Sequence, residues 1–213
     1  LVDMIFNIVP MMTSGAALII GLMLLISCYL RHQWNTAEFF IGIGLLFCVG
    51  YNYYIYFSAS SGNLLQFLWV IKIIVVFGYL ACLSLMCGLE IYIWNRLNIS
   101  RWAAAAVFSA ALVLLLAPDL YWFTFFNQAG TVLIFIIMTV FSLMAFKAPH
   151  KPNWLHLIAV LIVIGLLQEI YELVFYSAAP VFLPYIISFS TITIGINLIL
   201  EYNRLFNENS LLR

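Results

Sequence analysis

Lys72, Glu169 and Glu172 are the residues of this chain whose type and placement best suit chemistry. Each lies within an apolar stretch, where a charge at bilayer depth costs roughly 2.5 to 3.5 kcal/mol on insertion scales and so requires a partner or a task. Lys72 is nine residues into the run Leu64 to Trp94 and is the only basic residue inside any such run, hence ~13 Å from its outer end at 1.5 Å per residue. The segment Gln168-Glu169-Ile170-Tyr171-Glu172 puts Glu169 ~10 Å below the outer end of its own run. At matching depth, Lys72 and Glu169 are expected to meet in the outer half of a bundle, in a polar pocket open to the outside. Glu172 shares a face with Glu169 at i, i+3. Gln168, Tyr51, Asn52, Tyr54, Gln128, Ser188, Ser190 and Thr191 fall in the same half and complete the candidate site. The lysine favours an anionic ligand group, and two carboxylates favour a cation or a proton. The competing reading is structural: an ion pair that fixes helix register, with Glu172 reaching the interface. The cluster Tyr51, Tyr53, Tyr54 and Tyr56 reads either as an aromatic ligand cage or as the outer aromatic belt.

The elements that position these residues follow from composition. The 213 residues are 66% hydrophobic and 8% charged, with a mean hydropathy of +1.13, far outside globular usage. This is the composition of an integral membrane protein. A span takes about 20 apolar residues, and seven stretches qualify: Ile8 to Leu30, Ala37 to Phe57, Leu64 to Trp94, Trp102 to Ala117, Tyr121 to Phe146, Trp154 to Tyr176 and Val181 to Glu201. The fourth is the shortest, and a rival reading joins it to the fifth through Pro118 as one bent re-entrant element. The expected fold is an all-α, polytopic bundle of seven transmembrane helices. Residues 1–201 form the membrane domain, and 202–213 begin a cytoplasmic helix.

Orientation rests on the basic residues. Arg31, Arg96, Arg101, Lys147, Lys151, Arg204 and Arg213 all fall in loops one, three and five or in the tail, and loops two, four and six hold no Lys or Arg. The positive-inside rule then puts the N-terminus outside and the C-terminus in the cytoplasm, in an inner (plasma) membrane crossed several times. Trp34, Trp94, Trp102 and Trp154 flank the predicted cytoplasmic ends, where an indole sits well at headgroup level. Asn98-Ile99-Ser100 has the form of a glycosylation acceptor but lies in a predicted cytoplasmic loop. Glu38, Glu90 and Glu201 lie at cytoplasmic span ends and are expected to be interfacial, solvated or paired with Arg31, Arg96 or Arg204. The first apolar run is too long for a signal-peptide core. The chain begins at Leu1 and stops at Arg213 within a helical pattern, which leaves room for truncation at either end.

Several functions are disfavoured. Eight basic residues balance eight acidic ones, so no basic face suits nucleic acid. Cys28, Cys48, Cys82 and Cys87 form no CxxC pair and read as core or lipid-facing thiols. His32, His150 and His156 are too shallow to face one another across a haem. No H-E-x-x-H, G-x-S-x-G or Gly-rich phosphate loop occurs, and the last span has no lysine for a retinal Schiff base. No catalytic residue, metal ligand or cofactor is assigned. No internal repeat divides the spans into the halves common in secondary transporters.

The last span runs on through Glu201-Tyr202-Asn203-Arg204-Leu205-Phe206-Asn207-Glu208 to Arg213 without Pro or Gly. Leu198, Tyr202, Leu205, Asn209 and Leu212 recur at spacings of four and three, a short heptad seam in which Asn209 at an a position favours a parallel, in-register dimer. An amphipathic interfacial helix also fits. Seven compact spans with such a tail resemble the seven-transmembrane sensor regions of bacterial signalling proteins. That resemblance implies a signalling helix, here carrying Glu201, Leu205, Asn209 and Leu212, that joins the bundle to a histidine kinase, a diguanylate cyclase or a similar output domain. Many members carry an extracellular sandwich domain before the first span, none is expected within these residues, and no ligand or site residue follows from the likeness. The expected function is a membrane-embedded sensor of a two-component or related pathway, with an unidentified small molecule or the bilayer itself as stimulus. The alternatives are a small proton-coupled transporter using Lys72, Glu169 and Glu172, or a non-catalytic subunit of a larger membrane complex.

Overall fold

The computed structural model describes residues 2–58, 64–148 and 155–175, together with 189–190, 192–197 and 199–200 of the last span. Six helices have defined bounds: α1 (Val2–Leu30), α2 (Ala37–Ser58), α3 (Leu64–Trp94), α4 (Ile99–Leu115), α5 (Leu120–Ala145) and α6 (Leu155–Phe175). Residues 189–190, 192–197 and 199–200 are also helical and belong to a seventh, α7. The architecture is all-helical, with no strand among the described residues. Three stretches of these helices are long and apolar enough to cross a membrane, Met12–Leu30, Phe67–Trp94 and Leu120–Ala145, and the described parts of α2, α4 and α6 are shorter apolar helices. The signalling-helix residues Glu201, Leu205, Asn209 and Leu212 lie outside the described residues.

The helix ends have local causes. After α1, His32 adopts a positive φ of 55°. Its N–H donates to the Tyr29 carbonyl at 3.1 Å and that of Gln33 to the Cys28 carbonyl at 3.0 Å, the paired bonds of a Schellman cap. After α3, Asn95 takes φ 51° and donates to the Ile91 carbonyl at 2.7 Å, the single bond of the left-handed cap that Asn tolerates. Pro118 cannot donate to a continuing helix, and Asp119 starts α5 by accepting from Trp122 N at 2.9 Å, an ordinary N-cap. The fourth and fifth apolar runs are therefore two helices rather than one bent element.

The helices pack in the manner of membrane bundles, through small residues that let backbones approach. α1 and α2 cross at Gly21 and Gly42, where a Cβ on either would stand 3.1 to 3.2 Å from the other's carbonyl oxygen. α2 and α3 meet most closely at Gly88, whose Cβ would lie 2.5 Å from Ile41 Cγ1 and 3.1 Å from the Ala37 carbonyl oxygen. A Cβ on Gly15 would meet nothing within 4 Å among the described residues. These two glycines yield a paired prediction. Gly88→Ala is expected to destabilise by about 1 to 3 kcal/mol through overpacking, whereas Gly15→Ala is expected to be neutral or to stabilise by up to about 1 kcal/mol through helix propensity. Equilibrium unfolding in detergent distinguishes them, and equal effects would contradict the α2–α3 contact.

The core runs through the middle of the bundle, from Ile41, Leu45 and Cys48 on α2 through Ala81 to Met86 on α3 to Phe135 and Met138 on α5, Ile158 on α6 and Ile194 on α7. Large apolar side chains on α1, α4, α5 and α6 point outward, among them Ile19, Trp102, Leu116, Ile136 and Val160. Exposed apolar faces on so many helices are what a chain surrounded by hydrocarbon presents.

Candidate functional site

Among the described residues, the two charged side chains that are buried are both on α3. Lys72 is 3% exposed and Glu90 is 0% exposed. They lie eighteen residues apart, which is five whole turns, so both project from one face of α3, ~27 Å apart along its axis. The neighbour on that face is α4, with 17 residues and hence a length of ~25 Å. Each charge meets one end of it.

At the start of α4, the Glu90 carboxylate accepts backbone N–H bonds from Asn98 and Ile99 at 2.8 Å each and from Ser100 at 2.7 Å, and it also accepts the Ser100 hydroxyl. The helix's own N-cap residue, Asn98, makes no side-chain capping bond. Glu90 performs that task from the adjacent helix, satisfying the orphan N–H groups of the first turn and placing negative charge at the positive end of the helix dipole. At the other end, Lys72 Nζ donates to the Leu115 carbonyl at 3.0 Å and the Ala117 carbonyl at 2.7 Å. It also lies 4.7 Å from the centroid of the Trp69 ring, within cation–π range. A cation at the negative end of α4 completes the match. Glu90 lies near the end of α3, but the expectation that it is solvated is corrected by its burial. The four-residue turn 95–98 folds α4 back over it, and the carboxylate is fully enclosed by the donors of the new helix.

The remaining site residues are distributed as follows. Tyr51 and Asn52 are buried on α2, and the Tyr51 ring lies against Gly78, whose Cβ would stand 3.1 Å from it. Gly78 is ~120° around α3 from Lys72, so Tyr51 occupies the α2–α3 seam while Lys72 faces α4. Those two do not converge. Gln128 on α5 and Gln168 on α6 are half-buried, and Ser190 on α7 is buried at 5% exposure. Glu169 and Glu172 belong to α6 and Tyr54 to α2, but their side chains lie outside the described residues, as do Ser188 and Thr191. The α3–α5 seam adds Tyr79, which donates to the Asn127 carbonyl at 3.1 Å and fills a notch left by Gly130, where a Cβ would run into its hydroxyl.

Among the described residues, no three His, Cys, Asp or Glu side chains gather into a metal-binding group. On α3 itself, no Asp, Glu, Lys, Arg or His lies between Lys72 and Glu90, and much of that stretch belongs to the apolar core. No protein-family model matches the chain, and neither a curated protein nor a solved structure matches it.

Proposed function

We propose that the chain is a seven-span sensor module of a plasma (inner) membrane, with its N-terminus outside and its C-terminus cytoplasmic, that transmits through its last helix to a cytoplasmic output domain. The observation that carries this reading is that both buried charges of α3 are committed to the ends of α4, and the stretch of α3 between them has no Asp, Glu, Lys, Arg or His to serve as a path for an ion or proton. A carrier needs such a path; a receptor needs only two arrangements that a stimulus binds unequally. The ligand-facing part is formed by Tyr51, Asn52, Tyr54, Gln128, Gln168, Glu169, Glu172, Ser188 and Thr191 in the outer half, and Lys72 holds the α4 wall in register beside them. The partners on this reading are the bilayer, a small molecule and a second copy of the chain along the tail.

Two expected results test it. Single cysteines at Arg96 and Lys147 are expected to react with a membrane-impermeant maleimide only in inside-out vesicles, and one at Ser60 only in right-side-out ones; the reverse pattern would invert the topology. Cysteines at Leu205 and Leu212 are expected to form disulfide-linked dimers in the membrane, whereas cysteines at Asn207 and Glu208 are not, because only the former lie on the heptad seam. Equal cross-linking at all four would remove the coiled coil, and substrate flux in proteoliposomes that vanishes in Glu169→Gln would favour the carrier instead.

A further inference from the structure

Between α3, α5, α6 and α7 lies a cavity of about 20 Å3, bordered among others by Cys82, Phe135, Met138, Ile162, Ser190 and Ile194. The roughly 10 to 15 Å3 that one water needs would fit, but a water also needs two to four polar partners. Among the described residues the border presents apolar surface alone, Ser190 included. A hydrated or ionic ligand finds nothing here to replace its solvent, whereas apolar cavities stay dry and accept apolar guests such as xenon. We propose that this cavity binds a small apolar molecule of the size of a dissolved diatomic gas, drawn from the surrounding hydrocarbon and held by its apolar wall.

The position gives the guest leverage on α7. On another face of that helix, ~100° round from Ile194, a Cβ on Gly195 would stand 2.8 Å from Ile20 Cγ2, so α7 is tightly seated against α1, and the cavity lies on the side of Ser190 and Ile194. On the sensor reading above, occupancy biases α7 to the extent that the guest prefers one seating of it. Binding itself does not depend on that reading, and the experiment measures binding alone.

The test uses xenon as the probe and the full chain in lipid nanodiscs with 13C-methyl methionine. Of the seven methionines, Met138 borders the cavity and Met23 is 55% exposed on the outer surface of the bundle. The Met138 methyl resonance is expected to shift with xenon pressure and to saturate, while that of Met23 changes linearly, as for a methyl in bulk hydrocarbon. Ile162→Phe and, independently, Leu85→Phe fill the space and are expected to abolish the saturable component. A linear Met138 response in the unaltered chain overturns the proposal without recourse to any variant. A saturable response that survives in both filled variants also overturns it, by locating the guest elsewhere.

Discussion

Glu90→Ala is expected to lower the stability of the bundle by about 3 kcal/mol. Hydrogen bonds to a charged acceptor contribute ~1.5 to 3 kcal/mol each, and part of the loss is offset because the deleted carboxylate no longer has to be desolvated. Three backbone N–H groups and the Ser100 hydroxyl lose their common acceptor in a place where the side chain is 0% exposed. Glu90→Gln keeps the shape and one acceptor oxygen but directs amide hydrogens at the N–H groups of the first turn, so a loss of about 2 kcal/mol is expected. Ser100→Ala removes one donor and leaves the three backbone bonds, with about 1 kcal/mol expected. Equilibrium unfolding in mixed micelles measures all three, and hydrogen exchange supplies the local check: the amides of residues 98–100 are protected in the parent chain and exchange faster in Glu90→Ala. A Glu90→Ala protein within about 0.5 kcal/mol of the parent, the scatter of ordinary surface substitutions, would show that α4 does not need its neighbour's carboxylate.

The origin of this capping explains how much of the molecule its sequence discloses. The helices are legible because apolar runs of span length end at turn chemistry: Ala37 and Leu64 begin α2 and α3 where hydropathy alone puts them. α4 starts at Ile99, three residues before the predicted Trp102, because its first turn is stabilised by Glu90 rather than by any residue of its own. α1 starts at Val2 rather than Ile8, since Asp3 and Asn7 interrupt the apolar run without interrupting helical geometry. The charges that matter are equally visible as residues, but their described bonds are not. A buried lysine prompts a search for a carboxylate, and Lys72 bonds two carbonyl oxygens, which every residue possesses and no sequence pattern marks. Glu90 is read as solvated or paired with an arginine from its place at a span end, an inference that takes no account of how tightly the next helix returns. A signal was present all the same. Eighteen residues is five exact turns, and two opposite charges at that separation on one helix match the two poles of a neighbouring antiparallel helix of similar length.

The exchange of Lys72 with Glu169 separates the two remaining accounts of Lys72. Lys72→Glu is expected to cost about 4 kcal/mol: two charge-assisted bonds are lost, and a carboxylate is left facing two carbonyl oxygens. Lys72→Arg, which keeps the cation and its donors, is expected to recover most of that. If Lys72 served chiefly as the partner of Glu169, the double variant Lys72→Glu/Glu169→Lys would restore the pair with its ends exchanged, and stability would return with it. A helix dipole has a direction that no exchange of side chains reverses. The Leu115 and Ala117 carbonyls lie at the negative end of α4 whichever residue bears the lysine, so the double variant is expected to be no more stable than Lys72→Glu alone. Recovery of more than about half of the loss, read as a coupling energy from the full double-mutant cycle, would return Lys72 to an ion pair in the outer pocket. Absence of recovery makes α3 and α4 one mechanical unit, joined at both ends by opposite charges. On the proposed sensor reading, a stimulus then has to act on the helices outside that unit, α7 among them.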